Sequence, residues 1–350
     1  MFSTYRPEDV TILLKDITGM VEPQSTEERE KLIQSGRHYC EMLPIEYVPS
    51  KEYMDLFYES LKNYSKITAD AVMDMAKVIY SLKGRDVVLV SLARAGTPIG
   101  ILAKHYLDRA YRMNVPHYTI SIIRGKGIDK NAMDYILSRH DAKNIQFIDG
   151  WTGKGAIKRQ LDEAMKDYPD VDPGVAVLSD PARKASIFGT HNDFLIPSSL
   201  LNSTVSGLLS RTFLRDDIIG PNDFHGAVFY KELMNEDLTY TFINEVEKYF
   251  DFVTYNAKRI SRPCKVTVDK ELANISNEFG ISDINLVKPS VGETTRVLLR
   301  RVPYKILVHS LDDPNLAHIY RLAKEKNVPV EKYPLYNYSA CGLIKELGDV

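Results

Sequence analysis

The sequence has few of the features that mark secreted, disulfide-bonded or membrane-spanning proteins. It contains only three cysteines in 350 residues. They are Cys40, Cys264 and Cys341, an odd number placed far apart, which excludes a disulfide framework and indicates a reducing compartment. No apolar run approaches the about 18 residues that a membrane-spanning helix needs, and the N-terminus lacks the apolar core of a signal peptide. We therefore expect a cytoplasmic protein with no membrane partner.

An excess of charge of one sign is also missing. The chain has 45 Lys and Arg against 47 Asp and Glu, a net charge of −2. Nucleic acid is therefore not attracted by the protein as a whole, and any such site must be a local basic patch. The 44% hydrophobic content is that of an ordinary globular protein, and the length fits two domains.

What is present is a glycine-rich loop between an apolar strand and a helix, from Ile145 to Ile157. The strand ends in Asp149, and Gly150, Trp151, Thr152, Gly153, Lys154, Gly155 and Ala156 follow. Glycines before a helix start gather unpaired backbone N–H groups, which bind phosphate. The spacing is not that of a Walker P-loop, which needs four residues between its glycines and a Ser or Thr after the lysine. We predict a phosphate-binding loop; an ordinary strand-to-helix turn is the alternative.

Other polar residues follow neighbouring strands in the same way. The buried strand Asp86–Leu92 leads into a turn with Arg94, Ala95 and Gly96 and then a helix to about Arg112. After the strand Pro116–Ile123 come Arg124 and Lys126 between glycines, and then Asp129, which we expect to cap a helix. Asp180 and Arg183 follow the strand Gly174–Ser179. Repeated strand–helix units predict an α/β fold with a doubly wound parallel sheet.

These motifs resemble the type I phosphoribosyltransferases, whose signature is four apolar residues, two acids, four variable residues and a glycine. Asp149 matches the first acid and Gly155 the closing glycine, while Gly150 replaces the second acid and Gly153-Lys154 replaces the usual Thr-Thr. The resemblance implies transfer of ribose 5-phosphate from phosphoribosyl pyrophosphate, with Mg²⁺, to a nucleobase-like acceptor.

The same resemblance assigns roles to individual residues. The loop Thr152–Ala156 would hold the 5-phosphate and Asp149 a ribose hydroxyl. Arg94, with Ala95 and Gly96, would bind pyrophosphate. Arg124 or Lys126 would cover the reacting ribose, and Asp180 and Arg183 would contact the acceptor.

Residues 1–85 read as helical packing elements, including a helix from Ser25 to Gly36 and one or two helices between Tyr53 and Ile79. His38 and Cys40 suggest a thiol–imidazole pair, but residues two apart face away from each other on a helix. We therefore interpret them as structural. The roles of the hydroxyl-rich segment Asn202–Gly207 and of His225 stay open between acceptor recognition and packing.

A second α/β pattern begins after a linker at Ser261–Cys264, with helices expected at Gly292–Arg301 and near Tyr338–Glu346. It resembles the L7Ae/Pelota RNA-binding fold, which reads kinked RNA at a helix start; Glu293 and Arg296 match that motif, and Gly292 replaces its base-contacting Asn. The local cations are Lys288, Arg296, Arg300, Arg301 and Lys305, against Glu293 alone. We predict that Glu293, Arg296, Arg300 and Arg301 contact structured RNA; a protein-contact module is the alternative.

The combination resembles the two-domain phosphoribosyltransferase–Pelota proteins of bacterial tellurite-resistance and stress gene clusters, sometimes labelled StiP-family cysteine proteases. We divide the chain into a phosphoribosyltransferase-like domain, 1–262, and a Pelota-like domain, 265–350. The alternatives are a non-catalytic, ligand-sensing RNA-binding regulator and a cysteine protease, for which the sequence shows no Cys/His site with an oxyanion hole. The acceptor, the RNA target and the oligomeric state, a homo-oligomer included, stay open.

Overall fold

The structure is a computed structural model that describes residues 2–253, 265–301 and 303–344, without the side chains of Thr26, Glu30, Gln34 and Arg300. The predicted linker, with Cys264, lies outside these residues. The strands are β1 (Thr11–Ile12), β2 (Lys15–Asp16), β3 (Val88–Ala93), β4 (His117–Ile123), β5 (Gly127–Ile128), β6 (Ile145–Trp151), β7 (Val175–Ser179), β8 (Ile187–Thr190), β9 (Gly226–Ala227), β10 (Val287–Pro289), β11 (Pro303–Val308), β12 (Val330–Lys332) and β13 (Ala340–Ile344). The α-helices are α1 (Thr26–Gln34), α2 (Lys51–Lys83), α3 (Gly96–Tyr111), α4 (Lys130–Leu137), α5 (Ala156–Ala164), α6 (Thr239–Glu247), α7 (Val268–Glu278), α8 (Val291–Arg300) and α9 (Ala317–Glu325).

The central sheet has the order β1-β4-β3-β6-β7-β8, and these strands pair in parallel. The short β5 adds to β4 in the antiparallel sense. From β3 the chain proceeds to β4 on one side and later to β6, β7 and β8 on the other. This reversal is the topological switch point of a doubly wound sheet, where ligands bind at the carboxyl ends of the strands. The predicted fold class is confirmed.

Helices cover both faces of this sheet, because its strands alternate apolar side chains between two cores. Along β3, Val88 and Val90 belong to the core that contains α4 and α5, whereas Leu89 belongs to the core that contains α2 and α3. Strands buried on both faces read as continuous apolar runs, which is how β3 and β6 appear in the sequence. Among the described residues, no helix is both long and apolar enough to cross a membrane.

The N-terminal region differs from the helical expectation. Two short strands precede α1: β1 extends the central sheet beside β4, and β2 pairs with β9. The predicted helices are present, α1 with Ser25 as its N-cap, and α2 as one continuous helix that ends at Gly84 with a φ of 68°. Two-residue strands are too short to produce an alternating pattern, so the sequence could not reveal them.

The C-terminal residues form a separate mixed sheet with the order β10-β13-β11-β12, packed with α7, α8 and α9. The helix expected near Tyr338–Glu346 is wrong in the described part of that range: Ala340–Ile344 is β13, buried between β10 and β11. An apolar run this short does not distinguish a central strand from a buried helix, and pairing on both sides decides it here.

Candidate functional site

The site lies where the loops after β3 and β6 meet, at the switch point of the sheet. Gly96 makes this approach close: a Cβ there would overlap the carbonyl oxygen of Ile148 and lie 3.1 Å from Cα of Asp149. Only glycine lets the start of α3 pack against the end of β6 in this way. The predicted pyrophosphate loop and the predicted phosphate loop are therefore neighbours.

A cavity of about 260 Å³ opens between these loops. Its lining includes Ala95, Asp149, Thr152, Gly153, Lys154, Gly155 and Ala156, all predicted from the sequence, together with Lys288, Pro289 and Glu293 of the C-terminal residues. The structure thus brings most of the predicted phosphoribosyl residues together in one cavity. The C-terminal residues form one wall of this cavity, and among them is Glu293, which the sequence predicted to contact RNA.

The glycine-rich loop has the geometry of an anion-binding helix start. Gly155 adopts a φ of 73° and serves as N-cap of α5 without a side-chain cap, so the first N–H groups of α5 point towards the loop without a capping acceptor among the described residues. Unsatisfied N–H groups at a helix start, together with the helix dipole, attract anions. The loop is held in place from outside: the Tyr338 hydroxyl donates to the Gly153 carbonyl at 2.6 Å.

Asp180 holds the same loop from the inside. Its buried carboxylate accepts hydrogen bonds from the Thr152 hydroxyl and from the N–H groups of Lys184 at 3.0 Å and Ala185 at 3.1 Å. Arg183 points elsewhere and lies 2.9 Å from the His191 ring. Neither residue lines the cavity at Asp149. Asp180 positions the loop, and the acceptor contact stays a prediction.

Asp149 is the part-buried carboxylate of the cavity. Burial raises its pKa to about 7, and among the described residues only the Gly150 N–H, 2.8 Å from Oδ1, opposes this. With so little compensation, the protonated and ionised forms of this part-buried carboxylate coexist near neutral pH. Perturbed carboxylates of this kind are typical of functional sites.

Cations surround the other side of the cavity. Lys154 donates to the carbonyls of Ile284 at 2.8 Å and Val287 at 3.2 Å. Burial, with smaller effects of Lys288 and Arg124, lowers the Lys154 pKa to about 8. The pKa of Lys288 is lowered as well, again first by burial. Neighbouring buried ammonium groups repel each other, and an anion bound between them would relieve that repulsion.

Arg94 lies in an adjoining cavity of about 190 Å³. Ala95 and Trp151 line both cavities and form the wall between them. Arg94 donates to the Leu209 carbonyl at 3.2 Å, and the Arg296 guanidinium lies 5.7 Å from the centre of the Trp151 ring. The predicted pyrophosphate cation is thus next to the phosphate loop.

The predicted covering loop lies beside the cavity rather than in it. The backbone N–H of Arg124 donates to the Tyr39 hydroxyl at 3.1 Å, and its guanidinium donates to the Asn285 side chain at 3.2 Å. Lys126 is 3.9 Å from Glu41. The structure therefore does not bring Arg124 or Lys126 to the position where ribose would react.

The expectation that His38 and Cys40 face away from each other is wrong. His38 is the N-cap of a short 3₁₀ turn, not a residue within an α-helix, and its Nδ1 lies 2.9 Å from Cys40 Sγ. Cys40 is 0% exposed, and burial raises the pKa of its thiol. The pair is present, but the thiol is closed to solvent and favours the protonated form.

Comparison with known proteins agrees with the two-part architecture. The sequence model described as "Tellurite-like stress resistance cysteine protease StiP" matches residues 3–247. The chain belongs to the StiP family. A relative from Acinetobacter baylyi, named Cysteine protease StiP, is 34% identical over 364 residues, covering 99% of this chain and 94% of its own length. The model of the PELOTA RNA binding domain matches residues 267–346 of this StiP-family chain.

Solved structures similar to this StiP-family chain include two phosphoribosyltransferases. One is a xanthine-guanine-hypoxanthine phosphoribosyltransferase of Helicobacter pylori, with 18% identity and a TM-score of 0.25 over 37% of this chain and 77% of that chain. The other is a hypoxanthine-guanine phosphoribosyltransferase of Bacillus anthracis, with 15% identity and a TM-score of 0.25 over 35% of this chain and 71% of that chain. These TM-scores and identities are too low to support a fold assignment, so the assignment rests on the strand order described above.

The charged residues near the predicted RNA site do not lie together on one open face in the described part of this StiP-family chain. Glu293 and Arg296 lie at the cavities between the domains, and Lys305 is paired with Glu331 at 2.6 Å. Arg301 is exposed, and the side chain of Arg300 lies outside the described part of the chain. The RNA contact of these residues stays a prediction, and the sequence did not show that Glu293 and Arg296 face the first domain, because nothing in the pattern reveals which face of the helix packs there.

Two residues with a role at the site were missed. One is Tyr338, whose hydroxyl donates to the Gly153 carbonyl and for which the sequence predicted a helix. Asp193 accepts from the N–H groups of Val291 at 2.9 Å and Ser339 at 2.9 Å and so fixes the start of α8 on the first domain. Both act across the domain boundary, and no local motif signals such contacts.

Proposed function

We propose that this protein is a phosphoribosyltransferase that transfers ribose 5-phosphate from phosphoribosyl pyrophosphate to a nucleobase-like acceptor. The observation that carries the proposal is the cavity at the switch point, where a helix start without a side-chain cap, Asp149 and part-buried lysines converge. A sugar carrying a phosphate at one end and a pyrophosphate at the other matches this mixture of anion-binding groups and a single carboxylate.

The reaction breaks the bond between the anomeric carbon and pyrophosphate through a cationic state. In the proposed site the N–H groups of residues 153–156 bind the 5-phosphate, since the Thr152 N–H already donates to the Ser179 carbonyl at 3.0 Å. Asp149 accepts from a ribose hydroxyl. Arg94, with Ala95 and Gly96, binds the departing pyrophosphate. Holding both ends of the substrate positions the anomeric carbon, and the domain wall excludes water from it.

The donor set also fits Mg²⁺ that arrives with the substrate. In the described ranges, no group of three or more His, Cys, Asp or Glu side chains is arranged to hold a metal ion by itself, and Mg²⁺ is commonly held by one or two carboxylates plus substrate phosphates. Asp149, whose raised pKa is opposed only by the Gly150 N–H among the described residues, is the carboxylate that would hold it. When bound, the ion would offset the negative charge of the pyrophosphate leaving group.

A non-catalytic sensor is the rival within the same site. Gly150 stands where the resembled family has its second acid, so ribose is held by one carboxylate only. The chain would then bind the ligand and signal through its second domain, for which the match to the PELOTA RNA binding domain supports structured RNA as the partner. Binding of phosphoribosyl pyrophosphate without pyrophosphate release in the presence of any base distinguishes the sensor from the enzyme.

A cysteine protease is the second candidate function, favoured by one observation. The 2.9 Å contact between His38 and Cys40 provides a base beside a nucleophile, and the relative from Acinetobacter baylyi is named a cysteine protease. Against it, a reactive thiol needs a lowered pKa and access, and Cys40 has neither. Release of pyrophosphate across a panel of bases, compared with cleavage of a denatured protein substrate, tests the two functions directly.

A further inference from the structure

The first helix turn of α8 belongs to the C-terminal domain, yet it lies against the proposed ligand site. The Val291 N–H donates to the Asp193 carboxylate at 2.9 Å, and a Cβ on Gly292 would lie 3.4 Å from Ser199 Oγ. Glu293 lines the cavity of the phosphate loop, and Arg296, one turn later, lines the cavity of Arg94. The helix therefore runs along both cavities.

The charges on this helix are arranged to serve both cavities. Arg296 lies 3.4 Å from Glu293 in an ion pair and over the Trp151 ring at 5.7 Å, which aims its guanidinium at the wall between the cavities. Lys288, just before the helix, lines the cavity of the phosphate loop beside Lys154. Each cavity thus has cations from both domains: Lys154 and Lys158, which is paired with Asp162, face Lys288 in one, and Arg94 faces Arg296 in the other.

We propose that the C-terminal domain supplies two ligand-binding residues of the proposed transferase site, Lys288 for the ribose 5-phosphate end and Arg296 for the pyrophosphate end. Glu293 is a positioning residue that orients the Arg296 guanidinium. The inference rests on the proposed function and deepens it, because the ligand class becomes a pentose with phosphate groups at both ends, bound across two domains.

The electrostatics support this arrangement. Burial lowers the pKa of Lys288, and Arg301 and Arg124 lower it further against the opposing effect of Glu293. A buried cation surrounded by other cations gains more from a bound anion than an exposed one does. A ligand that bridges both domains must also stabilise their contact, since anything that binds only the docked form shifts the equilibrium towards it.

The test uses the full chain and three probes in calorimetry: phosphoribosyl pyrophosphate with Mg²⁺, inorganic pyrophosphate, and ribose 5-phosphate. Arg296→Gln should weaken binding of pyrophosphate and of phosphoribosyl pyrophosphate by about ten- to a hundredfold, with little change for ribose 5-phosphate. Lys288→Met should weaken ribose 5-phosphate and phosphoribosyl pyrophosphate and spare pyrophosphate. The isosteric Glu293→Gln should weaken pyrophosphate several-fold, a selective effect that general loss of structure would not produce.

Lys324→Met, at an exposed position on α9 in the same domain, is the matched control and should bind all three probes as the unaltered chain does. If Lys288→Met and Arg296→Gln bind every probe within about twofold of that chain while Arg94→Ala does not, the inference is wrong and the proposed function stands. Loss of structured-RNA binding alone in these variants also overturns it. If the unaltered chain binds none of the probes, the proposed function itself fails.

Discussion

Replacing Asp149 with Asn should change how the affinity for phosphoribosyl pyrophosphate depends on pH. Burial raises the pKa of Asp149 to about 7 and lowers the pKa of Lys154 to about 8. Below the first value the carboxylate is protonated and accepts hydrogen bonds from ribose weakly. Above the second value Lys154 loses its charge and attracts phosphate weakly. The affinity should therefore be highest between these two values.

The size of the effect follows from the two pKa values. At pH 6, about nine tenths of Asp149 is protonated, which lowers the apparent affinity about tenfold if only the ionised form binds well. At pH 9, a similar loss of about tenfold follows from neutral Lys154. Near pH 7.5, removing the charge-assisted hydrogen bond of Asp149 should cost about 1.5–3 kcal/mol, or ten- to a hundredfold in Kd.

Calorimetry at pH 6, 7.5 and 9 checks this with the unaltered chain, Asp149→Asn and Lys154→Met. The Asn variant should bind weakly at pH 7.5, should lose no further affinity between pH 7.5 and 6 (the acid limb of the profile), and should still lose affinity between pH 7.5 and 9 (the alkaline limb). The Met variant should keep the acid limb and lose the alkaline limb. Lys166→Met, an exposed lysine near the end of α5, is the control and should keep both limbs. An acid limb of full size in Asp149→Asn would refute the assignment of Asp149, since the phosphate groups of the ligand would then account for it.

Three further predictions concern structure and mechanism. Gly96→Ala should lower the free energy of unfolding, measured in urea, by about 1–3 kcal/mol, because its methyl group would overlap the Ile148 carbonyl. Gly153→Ala, with nothing within 4 Å of its Cβ, should have a free energy of unfolding within about 1 kcal/mol of that of the unaltered chain. Equal losses in the two variants would contradict the packing argument. Tyr338→Phe removes the 2.6 Å hydrogen bond to Gly153 and should lower the free energy of unfolding by about 0.5–1.5 kcal/mol. It should also weaken phosphoribosyl pyrophosphate binding several-fold in calorimetry. Unchanged binding would show that the loop needs no support from Tyr338. Cys40→Ser should leave ligand binding and any base-dependent pyrophosphate release unchanged, and complete loss of activity in a soluble, folded Cys40→Ser protein would favour the protease.

The central sheet and the glycine-rich loop after Asp149 could be predicted because their signals are local. The apolar runs of β3 and β6 are continuous since both faces of each strand are buried, and the three glycines after Asp149 mark the loop without any knowledge of the fold. The same holds for Asp129, whose carboxylate caps α4 at the Ala132 N–H as expected.

The rest depends on contacts between residues far apart in the sequence. Lys154 donates to carbonyls at 284 and 287, and Asp180 holds Thr152, so each acts through a partner that no motif names. His38 and Cys40 are in contact because the backbone forms a 3₁₀ turn there. The sequence interpretation assumed an α-helix, in which residues two apart face away from each other. Glu293 and Arg296 were predicted to contact RNA, and only the packing of α8 on the first domain shows that they face the cavities.

The central claim is that the cavity beside Asp149 binds and cleaves phosphoribosyl pyrophosphate, and pyrophosphate release from that compound in the presence of Mg²⁺ and a panel of nucleobases tests it most directly. We expect release by the full chain that depends on one class of base and falls about ten- to a hundredfold or more in Arg94→Ala and Asp149→Asn, with Lys166→Met unaffected. If the full chain releases no pyrophosphate with any of the bases and shows no calorimetric binding of phosphoribosyl pyrophosphate, the account is contradicted.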